Sequence, residues 1–223
     1  MSIKKQKGIW IPEKENWNGW SVNYENREYQ KLQSQGIIPT GNSFFVEDFR
    51  EALCLDIGAH VGIWTKRLSR DFSEVISFEP LPKHIECHKV NCKGLSNVTL
   101  HECALSNTDS ESIMSTKDFN SGMSSLGERG FKNKEQFIVK TKRLDSFNFP
   151  MVDFIKMDVE GYEEQVLEGG KETIERCKPD IYIEIWDKNV PTVSKILNDM
   201  GYALTKMSQQ NYLAVIQLIR KDY

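Results

Sequence analysis

Apolar runs alternate with segments of helical spacing along most of this chain. In 53–65, LCLDIGAHVGIWT, a short apolar run passes into a glycine turn and then an amphipathic segment, which predicts a buried strand followed by a helix. Further strands are predicted at 74–78, 97–104, 136–141, 152–157 and 181–186. Helices are predicted between most of them, at 62–71, from Pro82 onward and from Tyr162 to Cys177. This order is typical of an α/β fold with a parallel sheet.

The last part of the chain predicts one more helix and a hairpin. Pro191 opens the helix and Gly201 ends it, with apolar side chains expected to face inward at Val193, Ile196, Leu197 and Met200. Two final strands, 202–207 and 212–218, are joined by a short polar link. We therefore expect a mostly parallel sheet that finishes in an antiparallel hairpin.

Residues 1–50 have a different composition from the rest of the chain. They hold few aliphatic residues but three of the five tryptophans, which are Trp10, Trp17 and Trp20. The segment 24–35 predicts a helix that Gly36 ends. We expect residues 1–50 to be an extension whose aromatic rings pack on a domain formed by residues 51–223. Stacking on a sugar is the alternative role for these rings.

Residues 106–142 interrupt the alternation with many Ser, Asn, Asp and Gly residues. They predict an inserted loop with short added strands that ends at the clearer strand 136–141. Long loops in compact domains are often functional, and a tolerated surface insertion is an equally good interpretation.

Composition narrows the class of protein. A chain of 223 residues buries one substantial core, and its formal net charge of -3 provides no global basic field for nucleic acid. It has no apolar run of membrane-spanning length, and its first residues lack the apolar stretch of a signal peptide. The five cysteines include no CxxC pair, which favours a reducing compartment. We expect a cytoplasmic protein without nucleic-acid or membrane partners; the sequence carries no signal for oligomeric state.

Acidic residues follow several of the predicted strands. Asp56 precedes the turn at Gly58, and Glu79 follows the next strand about 20 residues later, where an acid accepts hydrogen bonds from ribose hydroxyls. Asp158 and Glu160 follow the strand 152–157. Each acid alone is also the pattern of a helix cap or a solvated turn. Their common position at carboxyl ends of strands favours a nucleotide-like ligand.

Several segments resemble the FkbM family of S-adenosylmethionine-dependent methyltransferases. They run from Leu53 to Trp186 and read LDIGAHVGIWT, SFEP, NVTLHECALS, SSL, TKRLDSF and FIKMDVEGYEEQVLEGG. The resemblance implies a class I methyltransferase fold, which is a mostly parallel seven-stranded sheet with helices on both faces and a C-terminal antiparallel hairpin. It also implies S-adenosylmethionine as cofactor and methylation of a hydroxyl on a sugar, a glycan or a small metabolite. Family members often carry a histidine just after the Glu of the fifth strand, close to Trp186, and this chain lacks it.

The resemblance also implies site residues. Cofactor contacts are expected from the glycine turn, the ribose-binding acid and the end of the third strand, at Asp56, Gly58, Ala59, Gly62, Glu79, Ala104 and Leu105. His60 is added as a cofactor contact because it lies inside the glycine turn. For His60, a solvent-facing position is the alternative. Asp158 and Glu160 are expected where methyl donor and acceptor meet, one as the base and the other holding the amino end of the cofactor, in either assignment. Glu184 is a third carboxylate expected to converge on them.

Two groups of residues have side chains that could bind a metal, and we assign no metal ligand in either. The three carboxylates Asp158, Glu160 and Glu184 also suit Mg²⁺ or Ca²⁺, although roles as base and orienting group are favoured. A helical run of possible zinc ligands is better explained by core packing, and its members are His84, Cys87, His88 and Cys92.

Three other functions compete with a methyltransferase acting on oxygen. A nicotinamide-dependent oxidoreductase needs GxGxxG, whereas this turn has two glycines, Gly58 and Gly62. A nucleic-acid methyltransferase acting on base amino groups usually shows an Asn/Asp-Pro-Pro-aromatic element, where this chain has Asp158-Val159-Glu160-Gly161. A non-catalytic binding or assembly module would be expected to lose the strand-end acids, which are all present.

Overall fold

The structure is a computed structural model in which residues 2–15, 22–38, 52–117, 120–126 and 134–217 are described. The strands are β1 Ile3–Gln6, β2 Ile9–Pro12, β3 Leu53–Ile57, β4 Glu74–Phe78, β5 Val98–His101, β6 Ala104–Leu105, β7 Ser110–Lys117, β8 Asn120–Leu126, β9 Lys134–Lys142, β10 Phe154–Met157, β11 Asp180–Glu184, β12 Tyr202–Lys206 and β13 Asn211–Ile216. The α-helices are α1 Val22–Ser34, α2 Ile63–Leu68, α3 Pro82–Asn91, α4 Glu163–Gly169, α5 Lys171–Cys177 and α6 Val190–Asp199.

Seven of these strands form the central sheet, in the order β12-β13-β11-β10-β3-β4-β5. The neighbours from β11 to β5 are parallel, and β13 is antiparallel to both β11 and β12. This arrangement confirms the expected mostly parallel sheet with a C-terminal hairpin. Because the parallel strands end at one edge, the turns that follow β3, β4 and β10 lie side by side.

Helices cover both faces of this sheet, as expected. Alternate residues of β3 point to opposite sides: Leu55 packs in a cluster with Val166 of α4 and Leu197 of α6, whereas Cys54 packs in a cluster that includes Trp64 of α2 and residues of α1. Both faces are therefore dry, which explains why β3 is a continuous apolar run apart from Asp56. No helix in the described ranges combines the length and apolar character needed to cross a bilayer.

The third strand differs from the prediction of one strand at 97–104. β5 ends at His101, and the N–H of Cys103 donates a hydrogen bond to the His101 carbonyl at 2.9 Å, which turns the chain. Ala104 and Leu105 then form β6 and pair with β9 in a different sheet. A continuous run of β-forming residues gives no local sign of such a change of partner.

The segment 106–142 contains long strands rather than the expected loop with short ones. β7, β8 and β9 form a four-stranded sheet with β6, in the order β6-β9-β7-β8. Exposed apolar and buried polar residues occur together in this sheet, because the cross-strand pair Ile113 and Ile138 is 43% and 76% exposed while Ser115 and Thr116 are buried. A strand prediction that depends on buried apolar residues misses such a segment.

The N-terminal region contains a hairpin that the sequence patterns did not indicate. β1 and β2 are joined by Lys7 and Gly8, both with positive φ, as a tight two-residue hairpin turn requires. β2 packs on α3, where Asn91 exchanges hydrogen bonds with the backbone of Trp10 at 2.8 and 2.9 Å. Helix α1 follows and ends before Gly36, which has φ +71°, as expected. Trp17 and Trp20 lie outside the described residues.

Candidate active site

A cavity opens at the edge of the sheet where β3, β4 and β10 end. It encloses about 880 Å³, part of which is open to solvent, and this falls within the range of small-molecule and cofactor sites. Its apolar wall includes Phe78, Leu81, Leu105, Met114 and Tyr162. Its polar side chains are His60, Glu79, His84, Lys156, Asp158 and Glu160. The combination suits a ligand with one apolar ring system and several polar groups.

The glycine turn after β3 is packed tightly against the end of β10. Gly58 has φ +77°, and a Cβ added there would lie 1.8 Å from the backbone oxygen of Asp158. The N–H groups of Gly58 and Ala59 both donate to the Phe78 carbonyl, at 3.1 and 3.0 Å. Glycine is therefore needed at position 58 for both its backbone conformation and its lack of a side chain.

Glu79 connects the glycine turn to helix α3. Its Oε2 accepts the backbone N–H of His60 at 2.9 Å, and its Oε1 accepts the N–H of Leu81 at 2.9 Å and the Nδ1–H of His84 at 3.1 Å. Burial by itself would raise the pKa of Glu79, but His84 and the other donors lower it below its usual value. The buried carboxylate is therefore ionised and held in a fixed orientation at the cavity wall.

A buried lysine underlies the opposite wall of the cavity. Lys156 of β10 is 4% exposed, and its Nζ lies 3.4 Å from Asp56 Oδ1 and 4.0 Å from Asp158 Oδ2 while donating to the Gly58 carbonyl at 3.1 Å. Asp56 Oδ2 accepts a hydrogen bond from Thr65 at 2.6 Å. Lysine is rarely buried unless it is paired, so this group ties the ends of β3 and β10 together.

Asp158 and Glu160 both line the cavity after β10. Burial raises the pKa of Asp158; Lys156 lowers it, and the charges of Asp56 and Glu79 raise it again, with a net increase over the usual value. Glu160 has φ +55°, an uncommon conformation for glutamate. This turn keeps Glu160 at the same cavity as Asp158, so the two carboxylates are available to one ligand.

Glu184 ends β11 beside this pair. The negative charge of Asp158, followed by burial, raises the pKa of Glu184 to about 8. At neutral pH we therefore expect Glu184 to hold its proton. The pKa of Glu184 therefore depends on the charge of Asp158.

We expect the Glu184→Gln variant to change the pH dependence of stability. The folded pKa of about 8 exceeds the ordinary value of 4.5, so the stabilisation due to the protonated side chain is fully present below about pH 4.5 and is lost as the pH rises through about 8. Glutamine cannot ionise, so the variant should gain about 2 kcal/mol relative to the wild type at pH 9 and little at pH 5. Denaturant unfolding at both pH values measures this, with exposed Glu111→Gln as the matched control. Parallel wild-type and variant curves from pH 5 to 9 would contradict it.

The Methyltransferase FkbM domain profile matches residues 56–212. The chain belongs to this family. The match covers most of the central sheet and confirms the resemblance carried by the sequence motifs. S-adenosylmethionine is the usual cofactor of these methyltransferases.

Curated relatives of this FkbM chain are distant. Methyltransferase 1 of Beauveria bassiana is 24% identical over 182 residues, which cover 69% of this chain and 73% of the relative. The 2-O-methyltransferase NoeI of Sinorhizobium fredii is 27% identical over 160 residues, covering 63% of this chain and 65% of the relative.

Solved structures show the same fold. A methyltransferase FkbM from Methylobacillus flagellatus KT aligns with a TM-score of 0.52 and 16% identity, over 87% of this chain and 50% of its own length. The chain thus spans about half of that structure. The magnesium protoporphyrin IX methyltransferase of Synechocystis PCC 6803, solved with bound S-adenosylmethionine, aligns with a TM-score of 0.51 and 11% identity, over 88% and 79% of the two chains.

The cavity of this FkbM chain is lined by most of the residues that the sequence analysis predicted to form the site. Its lining includes Gly58, Ala59, His60, Glu79, Ala104, Leu105, Asp158 and Glu160. His60 is half-buried at the cavity rather than facing solvent as in the alternative interpretation.

Three of the expected residues lie behind the lining. Asp56 is fully buried and contacts Lys156, which lines the cavity. Gly62 lies against helix α3, where a Cβ would come within 2.8 Å of the His88 ring. Glu184 is near Asp158 but is not among the lining residues that the structure describes. Asp56 and Gly62 therefore support the cavity from behind, Asp56 through its contacts with Lys156 and Thr65 and Gly62 through its packing against α3.

The sequence analysis did not predict two residues of this site, Lys156 and Met114. Lys156 interrupts the apolar strand FIKM. A lysine within a buried strand could have been recognised as part of a site, because a buried lysine usually has an acidic partner. Met114 reaches the cavity from β7, and nothing in the polar segment around it indicated this. The possible zinc ligands of α3 do not converge: His84 bonds Glu79, whereas His88 lies 3.0 Å from Thr65.

Proposed function

We propose that this chain transfers a methyl group from S-adenosylmethionine to a hydroxyl oxygen of a sugar, a glycan or a small metabolite. The observation that carries the proposal is the placement of two carboxylates, Asp158 and Glu160, on the same cavity as the buried ribose-type acid Glu79. Family membership and the name of NoeI as a 2-O-methyltransferase support the choice of oxygen.

For the domain organisation, we propose residues 51–223 as the methyltransferase unit, with 106–142 as an insertion and 1–50 as an extension.

The residues of the cavity fit the parts of this cofactor. Glu79 retains lone pairs for ribose hydroxyls because its three donors occupy only part of its capacity. The apolar surface of Ala104, Leu105 and Phe78 suits the adenine ring. The negative charge near Asp158 suits a cationic sulfonium. When bound, the cofactor supplies an electrophilic methyl carbon that needs in-line placement of the acceptor more than covalent help from the protein.

We propose Asp158 as the general base for the acceptor hydroxyl and Glu160 as a group that positions the acceptor. Burial gives Asp158 a higher proton affinity than an exposed aspartate, which suits proton abstraction. Lys156, whose Nζ lies 4.0 Å from Asp158 Oδ2, favours the ionised form of this carboxylate against the effect of burial. Protonation of Asp158 removes the negative charge that raises the pKa of Glu184 to about 8, so Glu184 can then release its own proton.

The Glu79→Gln variant tests cofactor use. Replacing the carboxylate removes its charge and one acceptor oxygen at the ribose-side wall, so affinity for S-adenosylhomocysteine should fall by about 10–100-fold, or about 1.4–2.7 kcal/mol. Titration calorimetry measures this, with Glu74→Gln at the exposed start of the same strand as the matched control. Failure of the wild-type protein to bind S-adenosylhomocysteine would reject the proposed function. A transfer assay with labelled methyl donor against saccharides and small hydroxylated metabolites then identifies the acceptor class.

A further inference from the structure

Three possible metal ligands lie close together next to Glu79, where the segment after the N-terminal hairpin β1–β2 approaches the glycine turn. They are Glu15, His60 and His84, and one ligand atom from each lies within 4.8 Å of the others. Glu15 and His84 are 3% and 2% exposed, and His60 is half-buried. This set differs from both groups suggested by the sequence, because Glu15 comes from the chain after β2 and was not linked to the site by any local pattern.

One nitrogen of His84 has an unusual environment. Its Nδ1–H donates to Glu79 Oε1 at 3.1 Å, which directs Nε2 the other way. Within the described part of the chain, Nε2 makes no hydrogen bond, and it faces Glu15 Oε1 at 3.8 Å. This separation is too long for a hydrogen bond. It is close to the distance of about 3.4 Å between two ligands of a tetrahedral zinc ion with bonds near 2.1 Å.

His60 completes the set from the glycine turn. Its ring lies edge-on to the His84 ring, with centroids 4.2 Å apart and an interplanar angle of 70°. A nitrogen of each ring and a carboxylate oxygen of Glu15 lie within 4.8 Å of one another. Neutral imidazole is the form that binds metals.

Rigid elements hold the three ligands together. His84 lies on α3, and Asn91 of the same helix bonds the backbone of Trp10 in β2 and the Val61 carbonyl at 2.7 Å in the glycine turn. One asparagine thus joins the three segments that carry the ligands. The pattern of a histidine that donates its other N–H to a carboxylate is common around protein-bound metals.

We propose that Glu15, His60 and His84 bind a divalent transition metal, with zinc the best match, and that Glu79 orients His84 from behind. Two imidazoles and one carboxylate favour zinc or its neighbours over Mg²⁺ or Ca²⁺, which prefer oxygen ligands alone. The metal would fasten the segment after β2 to the glycine turn. Because a histidine must be deprotonated at the nitrogen that binds the metal, protons compete with the ion and affinity falls in acid.

Metal titration of the full-length protein tests this proposal. Protein stripped with a chelator is titrated with Zn²⁺ by calorimetry and with Co²⁺ by visible absorption, and bound metal is counted by mass spectrometry. We expect one ion per chain, and a loss of affinity of about 100-fold or more in both Glu15→Gln and His60→Asn. His101→Asn, outside the cluster, is the matched control and should bind as the wild type does. Circular dichroism verifies that the variants fold.

Two results would overturn the proposal. One is stoichiometric binding that Glu15→Gln and His60→Asn leave unchanged, which would place the metal elsewhere. The other is wild-type protein that binds neither ion more tightly than these variants do, which would make the cluster a proton-sharing ion pair of His84 with two carboxylates. Neither readout depends on the methyl donor, so the outcome is independent of the proposed function.

Discussion

Replacing Asp158 by asparagine should lower kcat by about 10²–10⁴-fold, the usual contribution of a general base. Asparagine keeps the shape of the side chain, so affinity for S-adenosylhomocysteine should change little. The variant should also lose the dependence of kcat/KM on a group whose pKa lies above that of ordinary aspartate, because burial raises the pKa of Asp158. Steady-state kinetics over a range of pH, at saturating cofactor, measures both effects.

Two comparisons separate the role of Asp158 from alternatives. Glu160→Gln should mainly raise the KM for the acceptor if that side chain positions it, whereas Asp199→Asn at an exposed position of α6 should leave the kinetics unchanged. If Asp158→Asn weakens cofactor binding and spares kcat while Glu160→Gln abolishes turnover, the two carboxylates have the opposite roles. The reduced negative charge in Asp158→Asn should also lower the pKa of Glu184 from about 8.

The Gly58→Ala variant should be severely destabilised and should not bind cofactor. The new Cβ would lie 1.8 Å from the Asp158 backbone oxygen, and that oxygen belongs to main chain and cannot rotate away. A left-handed conformation for a non-glycine residue adds further strain. Together the two effects should cost about 4 kcal/mol in the free energy of unfolding. Chemical denaturation with a fluorescence readout measures the loss.

Gly94→Ala is the matched control for this variant. Gly94 has φ +87°, close to the value at Gly58, but an added Cβ would meet nothing within 4 Å among the described residues. Its cost should therefore be that of the backbone conformation alone, about 1 kcal/mol. Equal losses in the two variants would show that the contact between the turn and β10 contributes nothing measurable.

Much of the central sheet could be predicted because its signals are local. The strand 74–78 has the predicted bounds, since an apolar run between polar residues defines both of its ends. Glu79 after β4 and Asp158 after β10 lie at one edge as expected, because parallel strands bring their carboxyl ends together whatever the details of packing. Gly36 and Gly201 end helices as expected through their positive φ.

The parts that could not be predicted depend on contacts between distant segments. The strand predicted at 97–104 divides between two sheets because β6 finds a partner in β9. The burial of Lys156 and its pairing with Asp56 depend on β3 and β10 being neighbours, which the order of elements along the chain does not state.

By itself, the sequence determined the class of fold, because strand and helix periodicity are properties of short segments, and its motifs resembled the FkbM family closely enough to imply the family and the cofactor. Only the tertiary structure decided which of the strand-end acids reach the cavity, that the charge of Asp158 raises the pKa of Glu184, and that Glu15 meets His60 and His84. The physical reason is that ionisation and ligand geometry depend on burial and on neighbours from other segments. A local sequence pattern does not show which distant segments become neighbours.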